Sequence, residues 1–284
     1  MLRQRLLTAI LGIPIGLLLI YLGSWYLAGA VALLAIGGLR EFYRLMAARD
    51  RRAYPWLGYP LAILLVAVTS ASSSQSLGPV SLKLEPILLA AAMAIGGAWV
   101  LSSSRAGAAS ILFTTLVGHM YVPQLLSYVL RLRGLSAPPI EFGSSGVALP
   151  AGLCCVFVLV LAVWGMDTAA YAFGKVVGRR KLCPAISPGK TVEGAIAGLL
   201  AAVVLTAGPG RWLGLPLAQG LALGAGIGVL GQLGDLFESL LKRRAGVKDS
   251  GSLLPGHGGI LDRFDSLLFA APPAYFYLSF ALKV

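Results

Sequence analysis

Charged residues, cysteines and histidines are all scarce in this sequence. Charged side chains make up 12% of the 284 residues, and there are 3 cysteines and 2 histidines. Soluble domains usually carry about 25% charged residues, so this chain cannot cover the surface of a water-soluble globule of its size. Two of the cysteines, Cys154 and Cys155, are adjacent, and no zinc-type Cys/His spacing occurs. Neither a disulfide framework nor a zinc site is predicted.

Long apolar runs dominate instead, since 57% of the residues are hydrophobic. A transmembrane helix needs about 20 mainly apolar residues. The sequence therefore predicts an all-α, polytopic integral membrane protein with about nine transmembrane helices. The first run is longer than the apolar region of a signal peptide, so we expect an uncleaved helix. The predicted spans are about 6–22, 24–39, 56–71, 84–103, 107–130, 147–165, 194–208, 215–233 and 264–282.

The basic residues predict the orientation of these spans. Cytoplasmic segments of membrane proteins carry an excess of lysine and arginine. With a cytoplasmic N-terminus, 18 of the 23 basic residues fall on the inner side. The net charge of +12 is thus an orientation signal, and no nucleic-acid partner is expected. The remaining basic residues, on the outer side, are Lys83, Arg131, Arg133, Arg211 and Lys283.

The acidic residues divide the chain by function. Only 11 are present, and seven of them lie between residues 167 and 265, in or beside the last two inner loops. We therefore expect residues 1–146 to be a hydrophobic scaffold and residues 147–284 to carry the polar chemistry. Nothing between the two parts resembles a linker, so we expect one continuous membrane domain.

The first polar segment begins at Asp167, at the end of an apolar span. Ionisable groups at membrane depth are costly and usually functional, although a helix-end aspartate can also face headgroup water. Farther on, Ser187 and Pro188 predict a helix N-cap and first helical residue. That assignment puts Lys190 and Thr191 in the first turn, where the helix dipole favours a phosphate. The alternative for Lys190 is a positive-inside anchor.

A glycine pattern between the two polar segments has two interpretations. Residues 226–231 match the G-x-G-x-x-G pattern of dinucleotide-binding folds, but no strand precedes them. Gly220, Gly224 and Gly228 recur every four residues, which suits close helix packing in lipid. We expect packing.

The second polar segment, residues 234–265, alternates five acids with five bases. Asp235 and Glu238 share a helix face, as do Asp262 and Asp265. Neighbouring carboxylates repel each other unless a cation compensates. Magnesium suits such a set when phosphates complete its coordination.

Bases, glycines and one histidine of the same segment suit an anionic substrate. Lys242 and Arg243 provide counter-charges for phosphates. Gly258 and Gly259 let the backbone approach a bulky anion. His257 is a candidate acid or base, or alternatively a hydrogen-bond donor or turn residue. Together these features predict phosphoryl or nucleotidyl transfer at a membrane surface.

The second segment resembles the signature of the phosphatidate cytidylyltransferase family, also called CDP-diacylglycerol synthases. Ser239 to Asp265 follows the family pattern over 27 positions without departure. Two upstream stretches, Asp167–Tyr171 and Ser187–Gly194, resemble further family motifs. The resemblance is specific from about residue 164 to 265 and rests on hydropathy before that.

This resemblance implies an enzyme that converts CTP and phosphatidate into CDP-diacylglycerol and pyrophosphate in phospholipid biosynthesis. It implies an integral protein of the bacterial inner membrane, a homodimer, and Mg²⁺ as one ion or two. Acids that match Asp235 and Asp262 are associated with the metals in the family. The expected catalytic residues are Asp235, Asp262, Lys248, Asp249, His257 and Arg263. Substrate binding is expected from Asp167, Ser187, Lys190, Thr191, Glu193, Lys242, Arg243, Gly258 and Gly259, and metal binding from Asp235, Asp262 and Asp265.

Two other classes remain open at this point. A transporter would need charges near mid-span and paired repeats, whereas these charges crowd the inner helix ends of one half. A related membrane enzyme that acts on another nucleotide or lipid alcohol, such as a polyprenol kinase, would share phosphate and metal sites. Such an enzyme would not need the full signature.

Overall fold

The fold is built almost entirely from helices. The computed structural model describes residues 2–73, 81–102, 107–142, 147–253, 256 and 258–284. Within these ranges lie ten α-helices, and a short π-helical segment (Met120–Gln124) joins α5 to α6. The helices are α1 (Leu2–Leu22), α2 (Ser24–Ala47), α3 (Pro55–Ser73), α4 (Ser81–Ser102), α5 (Ala108–His119), α6 (Leu125–Arg133), α7 (Ala151–Val176), α8 (Val192–Gly210), α9 (Leu217–Arg244) and α10 (Leu261–Ala281).

Every predicted span overlaps a helix, and the fifth corresponds to α5, the π segment and α6 in series. The all-α membrane fold class is confirmed. Among the described residues, 6 stretches are long and apolar enough to cross a membrane. The count of nine spans and the orientation stay predictions. The 6 stretches are Ser24–Ala47, Pro55–Ser72, Ala108–Arg133, Ala151–Val176, Val192–Gly210 and Leu217–Arg244.

Two short antiparallel hairpins accompany the helices. The first joins β1 (Ile140–Phe142) to β2 (Val147–Leu149). The second joins β3 (Lys181–Cys183) to β4 (Ser187–Thr191) and lies directly before α8. The second hairpin therefore falls inside the first polar segment.

The prediction that a helix starts at Ser187 and Pro188 is wrong. Both residues lie in β4, which pairs with β3 so that Thr191 lies opposite Lys181. Thr191 is the true N-cap of α8, with φ of −123°, and its hydroxyl accepts the N–H of Gly194 at 3.1 Å. The fixed φ of proline suits extended backbone as well as a helix start, so Pro188 alone does not choose between them.

The described chain separates into two compact units. Unit 1 comprises residues 1–131 and 241–263, and unit 2 comprises residues 132–240 and 264–284. The loop between α9 and α10 thus belongs with the N-terminal helices. The predicted functional division into residues 1–146 and 147–284 stays a prediction.

Helix α2 forms the centre of unit 1. Ala35 and Leu39 are fully buried along it, and Phe42 is 2% exposed. Gly38 lies against Val122 of the π segment and Leu261 of α10, where a Cβ would come within 2.8 Å and 3.3 Å of their side chains. This close packing places the C-terminal end of α2, which the sequence predicts to be on the cytoplasmic side, beside the start of α10.

Glycines allow α8 and α9 to pack closely in unit 2. A Cβ on Gly224 would lie 2.5 Å from Val203 Cα, and one on Gly220 would lie 3.0 Å from Ala207 Cα. Gly228 faces Leu199 in the same way. The packing interpretation of this glycine pattern is confirmed.

Candidate active site

Asp262, in the first turn of α10, is the most heavily hydrogen-bonded acid of the predicted site. Its Oδ2 accepts the backbone N–H of Gly259 at 2.7 Å and that of Ser250 at 2.9 Å. The Ser250 hydroxyl lies 3.0 Å from the same oxygen. Lys242 donates to Oδ1 at 2.6 Å. We call Lys242, Ser250, Gly259 and Asp262 the Asp262 cluster; all four residues belong to unit 1.

Asp262 is held in its anionic form. Burial raises the pKa of this carboxyl, but the Lys242 ammonium and the N–H groups of Gly259 and Ser250 lower it by more, so the pKa lies below its ordinary value. Its side chain is only 6% exposed and that of Lys242 is 13% exposed. A buried anion of this kind is tolerated because it is both paired and hydrogen-bonded.

Glu41 of α2 is a site residue that the sequence motifs did not identify. It is 1% exposed, and Oε2 accepts the Leu261 N–H and the Ser250 hydroxyl, each at 2.9 Å. Its Oε1 accepts the Ile260 N–H at 3.0 Å. One signal could have found it, because Glu41 lies on the same predicted cytoplasmic side as the second polar segment.

Gly258 and Gly259 pack against carboxylates of the protein itself. Gly258 has φ of +84°, and a Cβ there would lie 2.8 Å from Asp262 Oδ2. A Cβ on Gly259 would collide with the Ser250 hydroxyl and lie 2.5 Å from Glu41 Oε2. The predicted close approach to an anion is thus present, and the predicted contact with a substrate phosphate stays a prediction.

The structure does not draw the other predicted residues of this loop into the Asp262 cluster. Lys248, Asp249 and Arg263 are exposed. Arg243 is also exposed, with a guanidinium nitrogen 3.5 Å from the Val247 carbonyl oxygen. Their predicted roles stay predictions. His257 lies outside the described residues.

A second lysine–carboxylate pair lies in unit 2. Lys190 at the end of β4 places its ammonium 2.8 Å from Asp235 Oδ2 on α9, and Ser239 donates to Oδ1 at 3.4 Å. The side chains of Lys190 and Asp235 are 25% and 33% exposed. We call these three residues the Asp235 cluster.

Asp167 and Asp265 are connected through Ser266 in the same unit. The Ser266 hydroxyl donates to Asp167 Oδ1 at 3.2 Å, and its backbone N–H donates to Asp265 Oδ1 at 2.7 Å. Asp265 is 9% exposed, whereas Asp167 is exposed. The helix-end aspartate and the buried aspartate are therefore both oriented by one serine.

Thr191 and Glu193 order the chain around the start of α8. Thr191 caps the helix, as described above. The Glu193 carboxylate accepts the backbone N–H of Arg179 at 3.0 Å and that of Arg180 at 3.2 Å. These contacts fix the basic turn before β3, and the predicted substrate contacts of Ser187, Thr191 and Glu193 stay predictions.

The donor set fits magnesium only in a substrate-assisted mode. Among the described residues, no three histidine, cysteine or acidic side chains gather as a complete metal cage. Mg²⁺ is commonly bound by one or two carboxylates, with waters and substrate phosphates as the other ligands. Three donors lie within 3.0 Å of Asp262 Oδ2, so a metal at Asp262 would share Oδ1 with Lys242, whereas Asp235 can offer its weakly bonded Oδ1. Each carboxylate already holds a lysine ammonium in an ion pair.

Comparison with known proteins places this arrangement in a family. Residues 3–281 match the model of the cytidylyltransferase family. The chain belongs to that family. The resemblance predicted from the polar motifs is confirmed, and the family match extends through the N-terminal helices, where only hydropathy supported it.

Named relatives cover nearly the whole chain. A protein of Synechocystis sp. is 34% identical, and the alignment covers 99% of this chain and 98% of the relative. A protein of Bacillus subtilis is 35% identical, with coverage of 98% and 97%. A Staphylococcus aureus relative is 48% identical over 123 residues, 43% of this chain. All three are named phosphatidate cytidylyltransferase.

Proposed function

We propose that this protein is a phosphatidate cytidylyltransferase, which transfers CMP from CTP to phosphatidate and gives CDP-diacylglycerol and pyrophosphate. The observation that carries the proposal is the family match over residues 3–281, together with relatives of that name along almost the full length. The two lysine–carboxylate pairs supply the polar chemistry such a transfer needs.

The transfer needs little acid–base chemistry. The phosphate of phosphatidate is already an anion at pH 7 and attacks the α-phosphorus of CTP. The bond from that phosphorus to the β-phosphate oxygen breaks, and pyrophosphate leaves with its added charge balanced by basic side chains. No strong general base is required, so His257 need not act as one.

Magnesium is the proposed cofactor, as one ion or two, and Asp235, Asp262 and Asp265 are each proposed as metal ligands. When bound, it would neutralise charge on the phosphates of CTP and of the leaving pyrophosphate. Asp235 Oδ1, and Asp262 Oδ1 shared with Lys242, would each give one ligand to an ion whose remaining ligands are phosphates and water. Lys190, beside Asp235, is proposed to bind a phosphate group of the substrate.

The proposed location is the cytoplasmic face of the bacterial inner membrane. Its support is the 18 of 23 basic residues on one predicted side, and the bacterial sources of the relatives. In a cysteine-free, active variant, a cysteine at the C-terminus should react with an impermeant reagent from outside. A cysteine next to Lys248 should react only from inside, and the opposite pattern would reject this orientation.

A homodimer is proposed from the family resemblance alone. Mass photometry of the purified protein in detergent should give twice the mass of one chain plus micelle. A monomer that retains full activity would reject the dimer as a requirement.

The decisive experiment follows the products of purified protein supplied with phosphatidate and each of the four nucleoside triphosphates. Pyrophosphate release with CTP alone, together with CDP-diacylglycerol, supports the proposal. Release of a nucleoside diphosphate would indicate a lipid kinase instead. Absence of turnover with ion-driven uptake in vesicles would indicate a transporter.

A further inference from the structure

We propose that Glu41 is a positioning residue for Asp262. Its carboxylate holds the start of α10 and the Ser250 hydroxyl, and thereby sets which oxygen of Asp262 is available. The inference rests on the proposed role of Asp262 in the reaction. It assigns part of the site to α2, in a region that the polar motifs leave out.

The surroundings of Glu41 require a carboxylate rather than a space-filling side chain. Both of its oxygens accept hydrogen bonds, from two backbone N–H groups at the start of α10 and from Ser250. Among the described residues, no lysine or arginine pairs with Glu41. The N-terminal end of the α10 dipole compensates its charge instead. Because an apolar side chain would avoid the cost of burying a charge, packing alone does not account for glutamate here.

Ser250 couples the two carboxylates. Its hydroxyl oxygen lies 2.9 Å from Glu41 Oε2 and 3.0 Å from Asp262 Oδ2. A hydroxyl has one proton, so it donates to one of them at a time. The backbone N–H of Ser250 also donates to Asp262 Oδ2. A shift of Ser250 therefore moves two of the three donors on that oxygen.

Gly259 packs tightly between Ser250 and Glu41, without room for a side chain. A Cβ at that position would collide with the Ser250 hydroxyl and lie 2.7 Å from the Glu41 carboxyl carbon. Its N–H is the third donor to Asp262 Oδ2. Consequently Oδ2 is fixed toward the loop, and Oδ1 is the oxygen left for Lys242 and for the substrate side.

The test compares Glu41→Gln with Thr115→Val in the full-length protein in detergent. Thr115 is also fully buried in unit 1 and accepts the Tyr54 N–H at 2.7 Å, but within the described ranges it makes no hydrogen bond to the Asp262 cluster. Glu41→Gln should speed amide hydrogen exchange in residues 258–262. It should also raise the Mg²⁺ concentration for half-maximal activity about ten- to a hundred-fold, as changes behind a metal ligand do. Thr115→Val should lower the melting temperature while exchange in that segment and the Mg²⁺ requirement stay at wild-type values.

Wild-type exchange and Mg²⁺ requirement in Glu41→Gln would overturn the inference, as would an equal shift in Thr115→Val. If Glu41→Gln does not fold, Ser250→Ala tests the same inference, because it removes only the hydroxyl that the two carboxylates share. Faster exchange and a higher Mg²⁺ requirement in Ser250→Ala support the coupling, and wild-type values overturn it. A fully active Asp262→Asn enzyme would reject the proposed role of Asp262 itself. The exchange data separately test whether Glu41 stabilises the start of α10.

Discussion

The Asp262 and Asp235 clusters each contain a lysine–aspartate pair, but the two pairs are built differently. The lysine–carboxylate distances are alike, at 2.6 Å and 2.8 Å. Asp262 has two backbone N–H donors on Oδ2 and a hydroxyl donor that it shares with Glu41, whereas Asp235 receives one further hydrogen bond at 3.4 Å. Asp262 is thus positioned largely by the backbone, and Asp235 by the side chains of a half-buried cluster. The same residue types can therefore form a fixed site or an adaptable one.

Loss of the Asp262 charge should have the largest effect. Asp262→Asn keeps the shape of the side chain but removes its charge, and it places a neutral amide where the surrounding donors now bind an anion. Turnover should fall by about two orders of magnitude or more, as when charge stabilisation is removed from a reaction centre. A CTP- and phosphatidate-dependent assay measures it, with Glu141→Gln as an exposed control. Wild-type turnover in Asp262→Asn would show that the reaction does not need the charge of the more firmly positioned aspartate.

Lys190→Ala tests the adaptable cluster. A charge-assisted contact to a phosphate is worth about 1.5–3 kcal/mol, so KM should rise about ten- to a hundred-fold with kcat little changed. If the contact forms mainly in the transition state, kcat falls instead. A Mg²⁺ titration at saturating substrates should show a smaller shift than in Asp235→Glu. Unchanged kinetics for both substrates would reject a phosphate contact and support the alternative role of Lys190 as a positive-inside anchor.

Double-mutant cycles on stability sharpen the comparison directly. Removing one partner of a buried pair costs about 3–5 kcal/mol, whereas a fully exposed pair contributes about 0–1 kcal/mol. The Lys190–Asp235 pair is half-buried, so we expect its coupling in the Lys190→Ala and Asp235→Asn cycle to be weaker than that between Lys242→Ala and Asp262→Asn. Unfolding in detergent measures both. Equal coupling in the two cycles would contradict the difference in burial.

The smallest expected effect is a change in the stability of the protein at acidic pH. Because the pKa of Asp262 is lowered in the folded protein, its contribution to stability is complete above the ordinary value of about 4. That contribution is lost as the pH falls through the lowered pKa. The difference in melting temperature between wild type and Asp262→Asn should stay constant from about pH 7 to 5 and shrink below about pH 4. A difference that already shrinks between pH 7 and 5 would contradict this.

The sequence predicts the helices well because each apolar run is a local pattern. It fails at Ser187 and Pro188, since the same residues suit a helix start or a strand and the choice depends on pairing with β3. The sequence predicts a phosphate contact for Lys190 and a metal contact for Asp235, and the structure shows the two side chains in contact with each other. Their pairing could not be predicted because the two residues lie on separate elements.

Glu41 shows the limit of motif reasoning most clearly. It is a single acid on an apolar helix, without a pattern around it. Its partners Ser250 and Leu261 follow it by 209 and 220 residues. No local periodicity carries information over that distance, and only its predicted cytoplasmic side hinted at the contact.

That separation also has a consequence for biosynthesis. A ribosome that adds about 5–20 residues per second makes Leu261 about 11–44 seconds after Glu41. During this interval the nascent chain lacks the Ile260 and Leu261 N–H groups, so two of the hydrogen bonds to the Glu41 carboxylate cannot form. Glu41 therefore reaches its final set of hydrogen bonds only after almost the entire chain has been synthesised. A chain that terminates before α10 would leave this carboxylate without the two backbone donors that hold it in the folded protein.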